Sequence, residues 1–188
     1  MTLKDWLVFF KKHKDIKIFY WHHLKLFTGM KPPTLRMSLK RLNEKKVIQR
    51  ICRSYYANPF NLPSLEEISS IIYPPSYISL ESALSRWGVL SQIPQILTCV
   101  TTKLPQKFTT PFGDIEYHQV KKGYFWGFIQ EGNYFMAEPE KALLDYIYLK
   151  KEKNLKEIFS ELDLKSLNLS KLKSFAKRLK IVLPSPFK

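Results

Sequence analysis

Apolar residues recur along the first 60 positions in helical steps. Leu3, Trp6, Leu7 and Phe10 share one stripe and predict a helix over 3–12. A second apolar-periodic run covers Ile18–Phe27 and stops at Thr28 and Gly29, a pair suited to a helix end and turn. Pro32 and Pro33 then open a third helix, with Thr34 as its candidate cap and Leu35, Leu39 and Leu42 at i, i+4 and i+7. Beyond it, Val47–Pro59 reads as two short strands with basic residues near their junction.

The pattern breaks at Asn58–Ser64, which holds two prolines and two asparagines, and a domain boundary is placed there. Ser64 is positioned to cap a helix with Glu66 and Glu67 in its first turn, where the helix dipole favours acids, and Tyr73–Pro75 ends it. Ser79 is positioned to cap a helix from Leu80, with Gly88 as its terminator. Residues 95–136 alternate and carry turn signals at Pro111–Gly113 and Glu131–Asn133, which predicts a mostly antiparallel sheet. Glu138, Pro139 and Glu140 open a further helix whose Leu143, Leu144 and Ile147 line a core. Two more helices are expected over 154–162 and 170–180. The last sets an apolar stripe of Leu172, Phe175, Ala176 and Leu179 against Lys171, Lys173, Lys177, Arg178 and Lys180. The expected fold is α+β. An N-terminal winged helix-turn-helix over 1–60 precedes a mixed α/β domain over 61–188 with a mostly antiparallel sheet and C-terminal helices, of which 150–188 form a basic segment.

Charge sharpens this picture. Residues 1–60 carry 14 Lys/Arg against 3 Asp/Glu, residues 61–149 carry 6 against 9, and residues 150–188 carry 11 against 4, within a total of +15. An excess gathered on one candidate motif suggests a surface built for a polyanion. On the third helix Arg36, Lys40 and Asn43 share the stripe away from the leucines, with Met37 and Arg41 beside it. In a helix-turn-helix the second helix of the pair lies in the major groove, where Arg suits guanine and Asn suits adenine. Lys45 and Lys46 at the helix end suit phosphates, which position without specifying. Arg50 and Arg53 on the hairpin that follows suit the backbone or the minor groove. The same residue types also furnish an ordinary solvated face. The expected interface therefore comprises Thr34, Arg36, Met37, Lys40, Arg41, Asn43, Lys45, Lys46, Arg50 and Arg53, and its expected partner is double-stranded DNA.

Composition narrows the class further. A hydrophobic content of 45% with 14% aromatics excludes a disordered polybasic tail. The longest apolar runs, such as Trp6–Phe10, fall far short of the ~20 residues that span a bilayer, so no membrane partner is expected. Lys11 and Lys12 interrupt the first apolar stretch without a small-residue cleavage site, so no signal peptide is expected. Cys52 and Cys99 lie far apart, outside any CxxC spacing, and read as two buried thiols of a cytoplasmic protein.

Catalytic signatures are absent from the sequence. His13, His22, His23 and His118 form no HxxxH or HExxH pair, and no GxxxxGK[ST], GxGxxG or GxSxG motif occurs. Asp114 and Glu116 with Lys121 and Lys122, or Glu138, Glu140 and Asp145, faintly resemble a nuclease's carboxylates. They read more simply as hairpin, cap and helix-face charges. The expectation is no enzyme, no cofactor and no metal.

Four segments carry a resemblance. Pro75–Leu90 (PSYISLESALSRWGVL) is similar to the pattern P-x-Y-I-S-x-x-S-A-L-x-x-x-G-L of the AbiEi-like antitoxins, the predicted regulators of AbiE abortive-infection systems. Ile93–Thr102 resembles that family's strand after a Pro turn. Phe112–His118 resembles its G-x-I-x-Y/F-H strand. Ala137–Asp145 resembles its A-x-P-E-K/R-A-L-x-D helix start. The resemblance runs in family order over about residues 16–150, and Trp87 departs from the Tyr or His expected before the glycine. It implies an antitoxin of a type IV-like pair. Such a protein would bind inverted repeats in its own promoter, repress its operon and counter a cognate nucleotidyltransferase-like toxin, directly or indirectly. The alternative is a stand-alone winged-helix repressor whose second domain senses a ligand or mediates dimerisation.

Overall fold

The computed structural model describes residues 1–150 and 161–184. The protein is α+β, with seven α-helices among the described residues, a three-stranded antiparallel sheet and a six-stranded sheet of mixed orientation. It divides into two compact units, one of Met1–Ile68 with Thr109–Gly113, the other of Ser69–Phe108 with the described residues from Asp114 onward. No helix among the described residues is long and apolar enough to cross a membrane.

The first unit opens with α1 (Leu3–Lys12). Thr2 Oγ1 accepts from the Asp5 N–H and Asp5 Oδ2 accepts from the Thr2 N–H, a reciprocal capping box that starts the helix. Trp6 and Phe10 of the expected stripe are buried, but Leu3 and Leu7 are exposed. The run expected to be helical from Ile18 divides. Ile18–Tyr20 forms strand β1, and the helix α2 (Trp21–Thr28) begins only at Trp21. The cause is non-local. Ile18, Phe19 and Tyr20 pair antiparallel with Ala57, Tyr56 and Tyr55 of β3 (Tyr55–Ala57), a partner that local periodicity does not register. Gly29, at φ 64°, closes α2 in the left-handed conformation.

Helix α3 (Pro32–Glu44) starts two residues before the expected cap. Lys31 occupies the cap position and the prolines fill the first turn, where no N–H is needed, so Thr34 sits inside the helix. Leu35, Leu39 and Leu42 are buried as the spacing predicts, and join Trp6, Phe10, Phe19, Leu24, Ile48 and Tyr56 in one apolar cluster. Strand β2 (Gln49–Cys52) pairs with β3 to complete a three-stranded sheet in the order β1-β3-β2.

Asn58 is fully buried and makes the proposed linker an integral piece of this unit. Its Nδ2 donates to the carbonyls of Phe10, His13 and Ile16 at 3.3, 2.9 and 2.9 Å, while its Oδ1 accepts from the Phe60 N–H. Ser64 does cap the next helix, α4 (Leu65–Ile72), in a box with Glu67, whose carboxylate also takes Lys17 at 2.7 Å.

The second unit holds a sheet of order β6-β7-β5-β4-β9-β8. These strands are β4 (Ser76–Ile78), β5 (Ile96–Thr101), β6 (Gln106–Thr110), β7 (Gly113–Gln119), β8 (Phe128–Glu131) and β9 (Tyr134–Ala137). Strand β4, unassigned from sequence, lies antiparallel to β5 and parallel to β9, and β5 runs parallel to β7. Helix α5 (Leu80–Arg86) ends in a Schellman arrangement: the Gly88 N–H donates to Ser85 O, the Val89 N–H donates to Leu84 O, and Gly88 has φ 70°. Ser79 stands at its cap position but makes no capping hydrogen bond, because its hydroxyl is committed to Asp145. Helix α6 (Pro139–Leu149) packs against both α5 and α7 (Leu169–Leu179), and the Asn168 side chain caps α7 by accepting from the Lys171 N–H. The helix expected over 154–162 falls almost wholly outside the described residues. Cys99 is buried as expected, but Cys52 is half-buried, and each is a thiol.

Candidate nucleic-acid interface

The leucine face of α3 is locked in the core, so its opposite side is presented outward. Arg36, Met37, Lys40, Arg41 and Asn43 are all exposed, as is Thr34 at the helix start. Two hydrogen bonds fix the hairpin, the first to this helix and the second to α2. Asn43 Oδ1 accepts from the Arg50 N–H at 2.9 Å, and the Trp21 N–H donates to Ser54 O at 2.7 Å. Ser54 takes φ 73° to close the tight turn after Arg53, and a bulge between Arg50 and Cys52 bends the strand.

These contacts bring five expected residues around one concavity of about 450 Å3. Arg36, Lys40, Asn43, Arg50 and Arg53 line it with Trp21, Leu39, Ser54 and Tyr56. The Arg36 guanidinium lies 5.6 Å over the Trp21 ring. Arg50 sits within the strand, its Nε donating to Cys52 O, whereas Arg53 occupies the turn. Beyond its bond to the Arg50 N–H, Asn43 Oδ1 keeps a second lone pair and its Nδ2 two donor hydrogens.

Arg41 and Lys45 lie apart from this group. With Trp6, Ser38, Leu42, Leu3 and Met1 they line a smaller hollow of about 160 Å3. Lys46, at φ 55°, lines a third concavity with Val47, Ile48 and Pro111. No carboxylate lines any of the three. Glu44 at the end of α3 is paired with Lys40 at 3.8 Å. Trp21, Ser54, Trp6 and Ser38 were not expected here. A helical wheel of α3 points to Ser38, but the tryptophans enter through tertiary packing of α1 and α2.

Most carboxylates of the two nuclease-like sets are engaged by neighbouring groups. Glu116 is engaged by Lys107 at 3.1 Å and His118 at 3.6 Å, and Asp114 is exposed. Glu138 and Glu140 both pair with Lys171, at 2.9 and 3.7 Å, and Glu140 also accepts from the Asn168 N–H. Among the described residues no group of His, Cys, Asp and Glu is placed to hold a metal ion.

Asp145 instead anchors a buried polar network. It accepts from Tyr77 Oη at 2.8 Å and Ser79 Oγ at 2.9 Å and is ion-paired with Lys141, whose ammonium also donates to Tyr77 Oη. All four side chains are almost completely buried. Burial pushes the Asp145 carboxyl up and the Lys141 ammonium down, and their mutual attraction opposes both shifts. The Tyr77 hydroxyl is pushed up by burial and by the adjacent carboxylate. This network joins two of the four sequence segments singled out above, Pro75–Leu90 and Ala137–Asp145. The basic face of α7 is partly spent on internal contacts. Lys171 pairs with Glu138, which raises its pKa, and Arg178 stacks on Trp126 at 4.0 Å.

Comparison with protein-family models and with curated proteins returns no match.

Proposed function

We propose that this protein is a sequence-specific regulator that binds double-stranded DNA through its first unit, folded as a winged helix-turn-helix. α3 serves as the recognition helix and the β2–β3 hairpin as the wing. The observation that carries this reading is the carboxylate-free concavity between α3 and the hairpin, where Arg36, Lys40, Arg50 and Arg53 converge. A polyanion neutralises those four cations at once, and counterion release makes the encounter strongly salt-dependent. On the sequence resemblance, the same protein is the antitoxin of a toxin–antitoxin pair, repressing its own operon and countering a nucleotidyltransferase-like toxin from the cytoplasm.

Two measurements test the two halves. Purified protein is titrated with its own upstream region and with a scrambled duplex at two salt concentrations. A preference for the native region that persists at higher salt is expected; equal, steeply salt-sensitive binding to both overturns the regulator. Co-expression with the adjacent reading frame is expected to relieve growth arrest. Absence of relief overturns the antitoxin half and leaves a stand-alone repressor.

A further inference from the structure

The exposed side of α3 is flanked by two cationic hollows, not one. At ~100° per residue, Arg36, Lys40 and Asn43 cluster on one flank, while Ser38, Arg41 and Lys45 cluster about 170° away on the other. Met37 and Glu44 point outward between them, and Leu35, Leu39 and Leu42 face the core. Each flank is walled by a different neighbour: the hairpin and α2 at the first, α1 at the second.

The two hollows share their chemistry. Both are lined by Arg and Lys, both include a Ser, and neither includes a carboxylate. Each is also lined by a tryptophan, Trp21 in one and Trp6 in the other. Guanidinium and ammonium donors with no carboxylate to neutralise them describe a seat for an oxyanion. Helix dimensions then supply the spacing. An α-helix with its side chains is ~10–12 Å across, and the major groove is ~12 Å wide, so a helix lying in the groove sets its flanks against the two phosphate rows that border it.

We infer that α3 is held in the groove by a two-sided phosphate grip, with Arg36 and Arg53 on the backbone of one strand and Arg41 and Lys45 on the backbone of the other. This rests on the DNA-binding reading above and adds to it a role for the α1 flank. In this arrangement Arg41 and Lys45 position the helix without reading bases, and sequence discrimination falls to residues that point outward between the hollows, with Met37 foremost.

The test uses the full chain and a duplex selected by it from a random pool, followed by phosphate-ethylation interference. Two clusters of interfering phosphates are expected, on opposite strands across a single major groove. Arg36→Gln with Arg53→Gln erases one cluster, and Arg41→Gln with Lys45→Gln erases the other. Each pair lowers affinity about tenfold or more at moderate salt and reduces the salt slope by about 2. The charge-keeping pair Arg41→Lys with Lys45→Arg retains the second cluster, which separates loss of contact from loss of fold. If the Arg41/Lys45 pair leaves both clusters intact, or both pairs erase the same cluster, the grip is wrong while DNA binding stands. If the pool yields no duplex at all, the DNA-binding reading falls and takes the grip with it.

Discussion

Asn58 serves three backbone carbonyls with one amide nitrogen, and its oxygen takes a fourth partner. Truncation leaves these groups buried without compensation. Asn58→Ala is expected to cost about 2–4 kcal/mol, read as a lower urea midpoint at unchanged slope. The Lys141–Asp145 pair obeys a different rule. Asp145→Ala strands a buried ammonium and is expected to cost about 3–5 kcal/mol, whereas Lys141→Met combined with Asp145→Leu recovers most of that loss. A double-mutant cycle in urea checks the recovery; equal losses in the single and double variants would refute it. His118 supplies a pH dependence. Burial holds its imidazole below the usual value of 6.5, with Glu116 opposing that shift. Below pH 6.5 the unfolded chain therefore binds a proton that the folded chain refuses. Stability is expected to fall as the pH drops from neutral toward the lowered native pKa, and His118→Gln should flatten that decline.

At the scale of elements, helix ends were the most legible features of the sequence. The prolines of α3, Gly29 after α2 and Gly88 after α5 act through their own backbone preferences, so each marks its position without tertiary help. Gly88→Ala tests this directly. Nothing crowds an added Cβ, yet φ is 70°, so the expected cost is about 1 kcal/mol, seen as a modest drop in Tm. Illegible elements are those defined by distant partners. Ile18–Tyr20 fits a helical period and becomes a strand because β3 claims it. Strand β4 is three residues, all buried, with no alternation to read. The same holds at the candidate site. The expected cations of α3 fall where the leucine stripe sends them, but Trp21 and Trp6 reach it through packing of α1 and α2. The Tyr77–Asp145 bond spans 68 positions, so the sequence offered its residues only as separate motifs.

For the whole molecule, the positive charge lies at the two ends of the sequence, while residues 61–149 carry more acids than bases. If regulation and toxin control belong to different parts of the chain, they are separable by substitution. Arg36→Ala, which removes a phosphate contact, is expected to weaken binding to every duplex alike and to lower the salt slope by about 1. Rescue of growth on co-expression should persist in that variant. Loss of rescue by a variant with an unchanged urea midpoint would show that the two activities share a surface.

The position of β4 between β5 and β9 also bears on how the chain is made. All nine residues of the Trp6–Tyr56 cluster leave the ribosome before β4 does, so they can meet one another early. Strand β4 gains one neighbour when Ile96–Thr101 emerges, but its other edge stays unpaired until Tyr134–Ala137 follows. A bare strand edge is a template for other chains. The interval most exposed to aggregation is thus the translation of the stretch between β4 and β9, and slow decoding there would lengthen it.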